Sequence, residues 1–86
     1  MKTTNRETDR NEISSIIAEI LEEEFVLFEE NARLVEDIGL DSMGFLELAI
    51  QIQRSFGTII PNEEWKSIIT IQDLLDTIEK KQQKDE

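Results

Sequence analysis

The chemically most informative residue is Ser42, in the segment Gly39-Leu40-Asp41-Ser42-Met43. Two roles suit this position at the start of a predicted helix. In the first, Ser42 or Asp41 is an N-cap that accepts hydrogen bonds from the first backbone N–H groups. In the second, Ser42 carries a covalently attached phosphodiester, because a helix N-terminus offers free N–H donors and a positive dipole end. Taken by itself, the segment favours the capping role.

A serine acting as a nucleophile within this chain would need a base to activate it. The sequence has no histidine, which is the usual general base and the commonest metal ligand. It has no cysteine either, which removes thiol nucleophiles, thiolate metal ligands and disulfides. We therefore expect that the chain is not an enzyme, and that any modification of Ser42 is made by a separate enzyme.

The acidic residues Glu36, Asp37 and Asp41 near Ser42 suggest comparison with a calcium loop. An EF-hand needs alternating oxygen ligands around a glycine, and no such alternation leads into Gly39. We expect weak cation binding at the surface and no dedicated metal site.

The composition restricts the partners that this chain can bind. Its 86 residues suit one domain, and 20 acidic against 9 basic side chains give a net charge of -11. Such a field repels nucleic acid and anionic membranes and attracts proteins with basic patches. No segment is apolar enough to insert in a membrane, and residues 1–10 contain no apolar signal region. These features predict a cytoplasmic protein, which we expect to be a monomer.

The spacing of apolar residues predicts three longer helices and one short helix, an all-α fold. The first is expected to start at a cap on Thr8 or Asp9 and to run to about Glu24. Its apolar face repeats at helical spacing and comprises Ile13, Ile16, Ile17, Ile20 and Leu21. Residues 25–40 show no sustained period, so they predict a long connection whose apolar residues pack on the helices.

The other three helices have recognisable ends. The second is predicted from Ser42 to Phe56, because Gly57 is a typical C-terminal glycine. The short helix follows Pro61 and covers residues 62–67. The last begins at Thr70, which forms a capping box with Asp73. Its apolar face comprises Ile71, Leu74, Leu75 and Ile78.

The second helix is apolar over an arc of roughly 220°, far wider than the ~100° that a surface helix needs. One interpretation is a central helix buried on several sides. The other, which we favour, divides the arc between a core and a partner protein. The core side would comprise Phe45, Leu48, Ala49, Ile52 and Phe56, and the partner side would comprise Met43, Leu46 and Ile50.

Several motifs occur together and in order along the chain. They are Asp37-Ile38-Gly39-Leu40-Asp41-Ser42-Met43, Leu46-Glu47-Leu48, Phe56-Gly57, Ile60-Pro61 and Thr70-Ile71-Gln72-Asp73-Leu74. In this order and spacing the chain resembles an acyl carrier protein over about residues 13–78. The resemblance implies a four-helix bundle. From their polar and charged composition we expect residues 1–8 to form a disordered tail and residues 80–86 a charged tail, which leaves residues 9–79 as the carrier domain.

The resemblance also implies a covalent cofactor. Ser42 would carry 4′-phosphopantetheine, transferred from coenzyme A by a phosphopantetheinyl transferase, and the thiol of the arm would hold an acyl group as a thioester. Asp41 matches the family's acidic residue beside the modified serine, and Glu47 matches an acidic position on the recognition helix. Met43, Leu46 and Ile50 match the apolar side of the surface that binds acyl-loading and acyl-processing enzymes.

The chain departs from fatty-acid carriers in the charge of its second helix. Five positions that follow Ser42 are not acidic, namely Gly44, Gln51, Gln53, Arg54 and Ser55, which leaves Glu47 as the only acid after Asp41. Carriers for fatty-acid, polyketide or specialised lipid synthesis all remain open. The segment Asp41-Ser42-Met43-Gly44 is also similar to aminoacyl and D-alanyl carriers. From a different class, an unmodified acidic helical adaptor would use only Met43, Leu46 and Ile50.

Overall fold

A computed structural model of the protein describes residues 6–24 and 26–82. Across these residues the chain forms four α-helices and confirms the predicted all-α fold. The helices are α1 (Arg6–Leu21), α2 (Ser42–Phe56), α3 (Asn62–Trp65) and α4 (Ile71–Gln82). The strand-like pairing within the described ranges is a single isolated bridge between Arg33 and Thr70. None of the described helices has the length and hydropathy that crossing a bilayer requires.

The core lies between α1, α2 and α4, and aliphatic side chains build it. Its fully buried members are Ile13, Ile17, Leu34, Leu48, Ile52, Ile71, Leu74, Leu75 and Ile78. Helices α1 and α2 run antiparallel. Leu21 at the end of α1 lines a cleft with Met43 at the start of α2, whereas the Ser55 hydroxyl near the end of α2 donates to the Glu12 carboxylate, nearer the start of α1, at 2.9 Å. Burying these apolar side chains supplies most of the stability that a domain of this size can have.

Helix α1 starts and ends earlier than predicted. It includes Arg6, Glu7 and Thr8, which were predicted to belong to the tail of residues 1–8. The reason is that the Arg6 guanidinium forms ion pairs with Glu30 at 2.9 Å and with Glu79 at 2.9 Å. Residues 1–5 lie outside the described residues.

The predicted end of α1 near Glu24 was also wrong. The helix ends at Leu21, because Glu22 has the left-handed backbone conformation with φ 62°. A side chain at positive φ is disfavoured, and such a residue cannot continue a right-handed helix. The Glu23 N–H then bonds back to the Ala18 carbonyl at 2.8 Å, which closes the last turn.

The predicted end of α2 and the predicted start of α4 are confirmed. Gly57 has φ 67°, and its N–H donates to the Gln53 carbonyl at 2.9 Å, as a C-terminal glycine should. The Asp73 N–H donates to the Thr70 hydroxyl and the Thr70 N–H donates to the Asp73 carboxylate, both at 3.1 Å. This is the predicted capping box.

In the C-terminal part of the fold, two helix ends differ from the predicted ones. Helix α3 stops at Trp65 and residues 66–67 form a turn, so this helix is two residues shorter than predicted. Helix α4 continues through Lys80 and Lys81 to Gln82, so the segment predicted as a charged tail begins inside a helix. Lys81 is held there by an ion pair with Glu64 at 3.1 Å. Residues 83–86 lie outside the described residues.

The connection between α1 and α2 is bonded to the rest of the fold through its backbone. The Leu34 N–H donates to the Ile69 carbonyl at 2.9 Å, and the Ile71 N–H donates to the Ala32 carbonyl at 3.0 Å. Residues Leu34–Ile38 form a π-helical turn that the sequence did not predict.

The apolar residues of this connection pack only in part. Leu34 is fully buried and Val26 and Phe28 are half-buried, whereas Leu27 and Val35 are exposed. Leu40 is also buried, and Ala32 and Ile38 pack against the core. The expectation that the apolar residues of the connection pack on the helices is therefore confirmed for most of them, and Leu27 and Val35 are the exceptions among the described residues. Phe25 lies outside the described residues.

Candidate functional site

Asp41 and Ser42 have different roles at the start of α2. Asp41 is the N-cap, with an extended backbone, and its Oδ1 accepts the Gly44 N–H at 2.9 Å. Ser42 is the first helical residue, and its side chain is exposed. Within residues 6–24 and 26–82 the Ser42 hydroxyl forms no hydrogen bond. The structure thus decides between the two candidate caps and leaves the serine oxygen accessible.

The residues before Ser42 fix the direction in which α2 begins. Gly39 has φ 94°, and its N–H bonds to the Leu34 and Val35 carbonyls at 3.1 Å each. The next N–H, from Leu40, also donates to the Leu34 carbonyl, at 2.9 Å, and the Leu40 side chain is buried. A conformation that favours glycine and a buried anchor therefore hold the backbone immediately before the cap.

Gly44 contributes to the site although it lies outside the predicted apolar arc of α2. It is buried in the structure. A Cβ at this position would lie 3.0 Å from Leu40 Cδ2 and 3.4 Å from Asp41 Oδ1. The lack of a side chain lets the first turn of α2 pack closely on Leu40. The signal in the sequence was its spacing of one helical turn from the buried Leu48.

The wide apolar arc of α2 is divided as the favoured interpretation predicted. Leu48 and Ile52 are fully buried, and Phe45, Ala49 and Phe56 are half-buried. The opposite side is uncovered: Met43 is 71% exposed, Leu46 is 57% exposed and Ile50 is 48% exposed. We call these three residues the uncovered strip. Exposed apolar side chains grouped in this way are a feature typical of interaction surfaces.

A cleft of about 330 Å³ separates the start of α2 from the end of α1. Asp41, Met43 and Glu47 line one side, and Leu21 and Glu22 line the other. Glu22, Asp41 and Glu47 are exposed, and none of them forms an ion pair among the described residues. The negative charge beside Ser42 thus comes from both helices, although α2 itself is poor in acids.

A second groove, of about 340 Å³, lies on the other side of α2. Phe45 and Trp65 meet in it edge to face, with ring centroids 5.9 Å apart and an interplanar angle of 79°. This contact gives Trp65 a role in packing. In the described part of the chain the Trp65 Nε1 has no hydrogen-bond partner. Among the described residues, no group of three or more acidic side chains is arranged to hold a metal ion.

Comparison with known proteins identifies the family. The model of a family described as "Phosphopantetheine attachment site" matches residues 11–78, which is most of the chain. The chain belongs to the acyl carrier protein family. An acyl carrier protein of Helicobacter pylori is 35% identical over 68 residues, covering 79% of this chain and 87% of that protein. An acyl carrier protein of Thermotoga maritima is 31% identical over 77 residues, covering 90% of this chain and 95% of that protein.

Membership in the family establishes the class of activity. Acyl carrier proteins are not catalysts, and their phosphopantetheine attachment domain implies a 4′-phosphopantetheine prosthetic group. Such proteins interact with a phosphopantetheinyl transferase and with acyl-processing enzymes. The start of α2 fits this group, because the exposed Ser42 hydroxyl has no competing hydrogen bond and lies at the positive end of the helix dipole.

Proposed function

We propose that this protein carries acyl intermediates as thioesters on a 4′-phosphopantetheine arm attached to Ser42. The observation that carries the proposal is the separation of roles at the start of α2. Because Asp41 supplies the cap, Ser42 is not needed to stabilise the helix and its hydroxyl is available for modification. When bound, the arm provides the thiol that this cysteine-free chain lacks.

The attachment step needs a second protein. The Ser42 oxygen forms a new bond to the phosphorus that carries the pantetheine part of coenzyme A, and the nucleotide part leaves. The hydroxyl proton passes to a base, which we expect the transferase to supply because this chain lacks histidine, the usual general base. The first N–H groups of α2 and its dipole favour the phosphodiester anion that results.

The surface around Ser42 is suited to binding partner enzymes in turn. Asp41 and Glu47 provide negative charge for a basic partner, and the uncovered strip of Met43, Leu46 and Ile50 provides apolar contact. Tethering the cargo at this surface raises its effective concentration at each partner's active site without new contacts to the cargo itself.

The first test is covalent modification. The protein is incubated with coenzyme A and a phosphopantetheinyl transferase of broad specificity, and its intact mass is measured. We expect the gain of one phosphopantetheine group in the natural chain and none in Ser42→Ala. Ser55→Ala, on the same helix, is the matched control and should be modified normally. Absence of a mass gain, or a gain that survives Ser42→Ala, would reject the proposal in favour of an unmodified adaptor.

The second test concerns the cargo. Fatty-acid, polyketide and specialised lipid synthesis are the candidate pathways for an acyl cargo. Because α2 after Asp41 has Glu47 as its only acid, which weakens docking to the basic surfaces of fatty-acid synthesis enzymes, we propose a carrier dedicated to one pathway, such as polyketide or specialised lipid synthesis. An aminoacyl or D-alanyl carrier is the second candidate, favoured by the segment Asp41-Ser42-Met43-Gly44. Holo protein is offered to acyl-loading and aminoacyl-loading ligases with their donors and ATP. The thioester found by mass spectrometry distinguishes the two candidates.

A further inference from the structure

Arg54 differs from the other arginines that the structure describes. Arg6, Arg10 and Arg33 all form ion pairs with carboxylates of this chain. Arg54, near the end of α2, is exposed and forms no ion pair within residues 6–24 and 26–82. An arginine that stays unpaired in a chain with 20 acidic side chains is available to a carboxylate of another molecule.

The position of Arg54 on α2 connects it with the proposed docking surface. Met43, Glu47, Ile50 and Arg54 follow one another at spacings of four, three and four residues, so they form one row along the helix. All four are exposed. We call them the mixed row, because it alternates apolar, acidic, apolar and basic side chains. Glu47 and Arg54 are separated by about 10 Å along the helix axis and by only about 20° around it.

We infer that the enzyme that loads the cargo binds the mixed row through an apolar surface with one basic and one acidic group. The basic group faces Glu47 and the acidic group faces Arg54, about 10 Å further from Ser42. This inference rests on the proposed function, since it names the partner of the surface beside Ser42.

The opposite signs of the two charges orient the partner. If the partner were turned end to end along α2, Glu47 would face an acid and Arg54 would face a base. Juxtaposed like charges disfavour that arrangement, so only one direction of binding brings the Ser42 end of the helix toward the partner's active site. The same arginine disfavours enzymes whose docking surface is basic throughout, which gives the carrier specificity for its own pathway.

Arg54 also lies in the last turn of α2, where a cation stabilises the negative end of the helix dipole. The control must therefore separate docking from helix stability. Lys80 is exposed, lies in the last turn of α4, and forms no ion pair among the described residues. Arg54→Glu and Lys80→Glu change the net charge equally and both remove a cation from a helix end.

The experiment uses holo protein, and mass spectrometry first confirms that phosphopantetheine is attached. If no attachment is found, the proposed function fails at that step, before docking is tested. The probe is the ligase that loads the natural holo protein in the cargo assay, and kcat/KM for the carrier is measured. Arg54→Glu is expected to lower kcat/KM about tenfold, chiefly through KM, whereas Lys80→Glu stays within about twofold. Arg54→Lys should retain most of the loading and Arg54→Gln should be intermediate.

Thermal unfolding of each variant shows whether folding is affected. If Arg54→Glu unfolds, Arg54→Gln provides the comparison. The inference is overturned if Arg54→Glu loads as well as the natural chain, or if Arg54→Glu and Lys80→Glu lose loading equally. It is supported further if changing one surface acid of the ligase to lysine restores loading of Arg54→Glu.

Discussion

The Asp41 carboxylate accepts a hydrogen bond from the Gly44 N–H at 2.9 Å, directly beside the candidate modification site. The same side chain therefore has a structural role in capping α2 and a proposed electrostatic role in docking the transferase. These roles need different properties, because a cap needs only an acceptor oxygen whereas docking needs the negative charge.

Replacing Asp41 tests this division of roles. Asp41→Ala should lower the free energy of unfolding by about 1 kcal/mol, whereas Asp41→Asn, which keeps an acceptor oxygen, should change it little. Both variants should slow modification by the transferase, because both lack the charge. Urea unfolding and initial rates of mass gain measure the two effects. If Asp41→Asn were modified at the same initial rate as the natural chain, the charge of Asp41 would have no part in docking.

The capping box of α4 predicts a pH-dependent loss of stability. Asp73 accepts hydrogen bonds from the Ile69 and Thr70 N–H groups, which lower the pKa of its carboxyl below the ordinary value. A lowered pKa in the folded state stabilises the fold above the ordinary value of about 3.9. This contribution disappears as the pH falls through the folded pKa.

Asp73→Ala should therefore lower the free energy of unfolding by about 1 kcal/mol at pH 7. The difference from the natural chain should shrink in the acid range, where the carboxylate becomes protonated. Urea unfolding over a pH series measures it. Asp73→Asn is the control, because its amide oxygen keeps an acceptor without a charge. A difference that is constant with pH would contradict the assigned role.

The ionised carboxylate of Asp9 should have the opposite effect on stability to that of Asp73. Burial raises the pKa of its carboxyl, the negative charge of Glu79 raises it further, and Arg6 opposes these effects. Its Oδ2 is buried and has no hydrogen-bond partner in the described part of the chain. A raised pKa in the folded state means that the ionised carboxylate destabilises the fold at neutral pH.

Asp9→Asn should consequently raise the free energy of unfolding at pH 7, by about 0.5–1 kcal/mol. The gain should fade as the pH falls through the raised pKa of Asp9, because the natural side chain then becomes neutral as well. Thermal unfolding at several pH values checks this. Destabilisation by Asp9→Asn at pH 7 would mean that attraction to Arg6 outweighs the cost of burial.

The contacts of Arg6 predict where the folded domain begins. Its guanidinium contacts Glu30, Asp76 and Glu79, so it connects α1 with the following connection and with α4. Arg6→Ala should lower the free energy of unfolding by about 1–2 kcal/mol. A shortened chain that starts at Asp9 should lose at least as much free energy of unfolding as Arg6→Ala does. A shortened chain that starts at Arg6 should keep the stability of the natural chain. Equal stability of the two shortened chains would restore the boundary at residues 8 and 9 that the sequence predicts.

The net charge of -11 predicts that added salt stabilises the protein. Repulsion among acidic side chains opposes the compact state, and ions screen it. The melting temperature should rise across a sodium chloride titration, and more steeply with divalent cations. A second titration with an uncharged solute at the same osmolality separates charge screening from the effect of a solute that is excluded from the protein surface. A melting temperature that stays flat or falls would show that self-repulsion is negligible.

Features set by neighbouring residues were predictable from sequence. Gly57 ends α2 and Thr70 with Asp73 begins α4, because each signal acts within a few residues. Helical spacing predicted the wide apolar arc of α2, and the exposure of Met43 and Ile50 agrees with the favoured of its two interpretations.

Features set by distant contacts were not predictable. Arg6 extends α1 because of residues 24 and 73 positions away, and the π-helical turn depends on bonds between Leu34 and the segment before α4. The approach of Glu22 to the site depends on how α1 packs against α2. No local signal encodes that packing.

The backbone bonds that join the connection to α4 have a kinetic consequence. The Leu34, Ile71 and Gln72 amides all donate across the boundary between these two segments. Breaking one of these bonds while the others remain would leave backbone polar groups without hydrogen-bond partners. The two segments should therefore separate together, in one cooperative opening. The Leu34 and Ile71 amides should then be protected from hydrogen exchange to the same extent. Since Leu34 also accepts the Gly39 and Leu40 N–H groups, this opening would release the backbone that holds Ser42 in place.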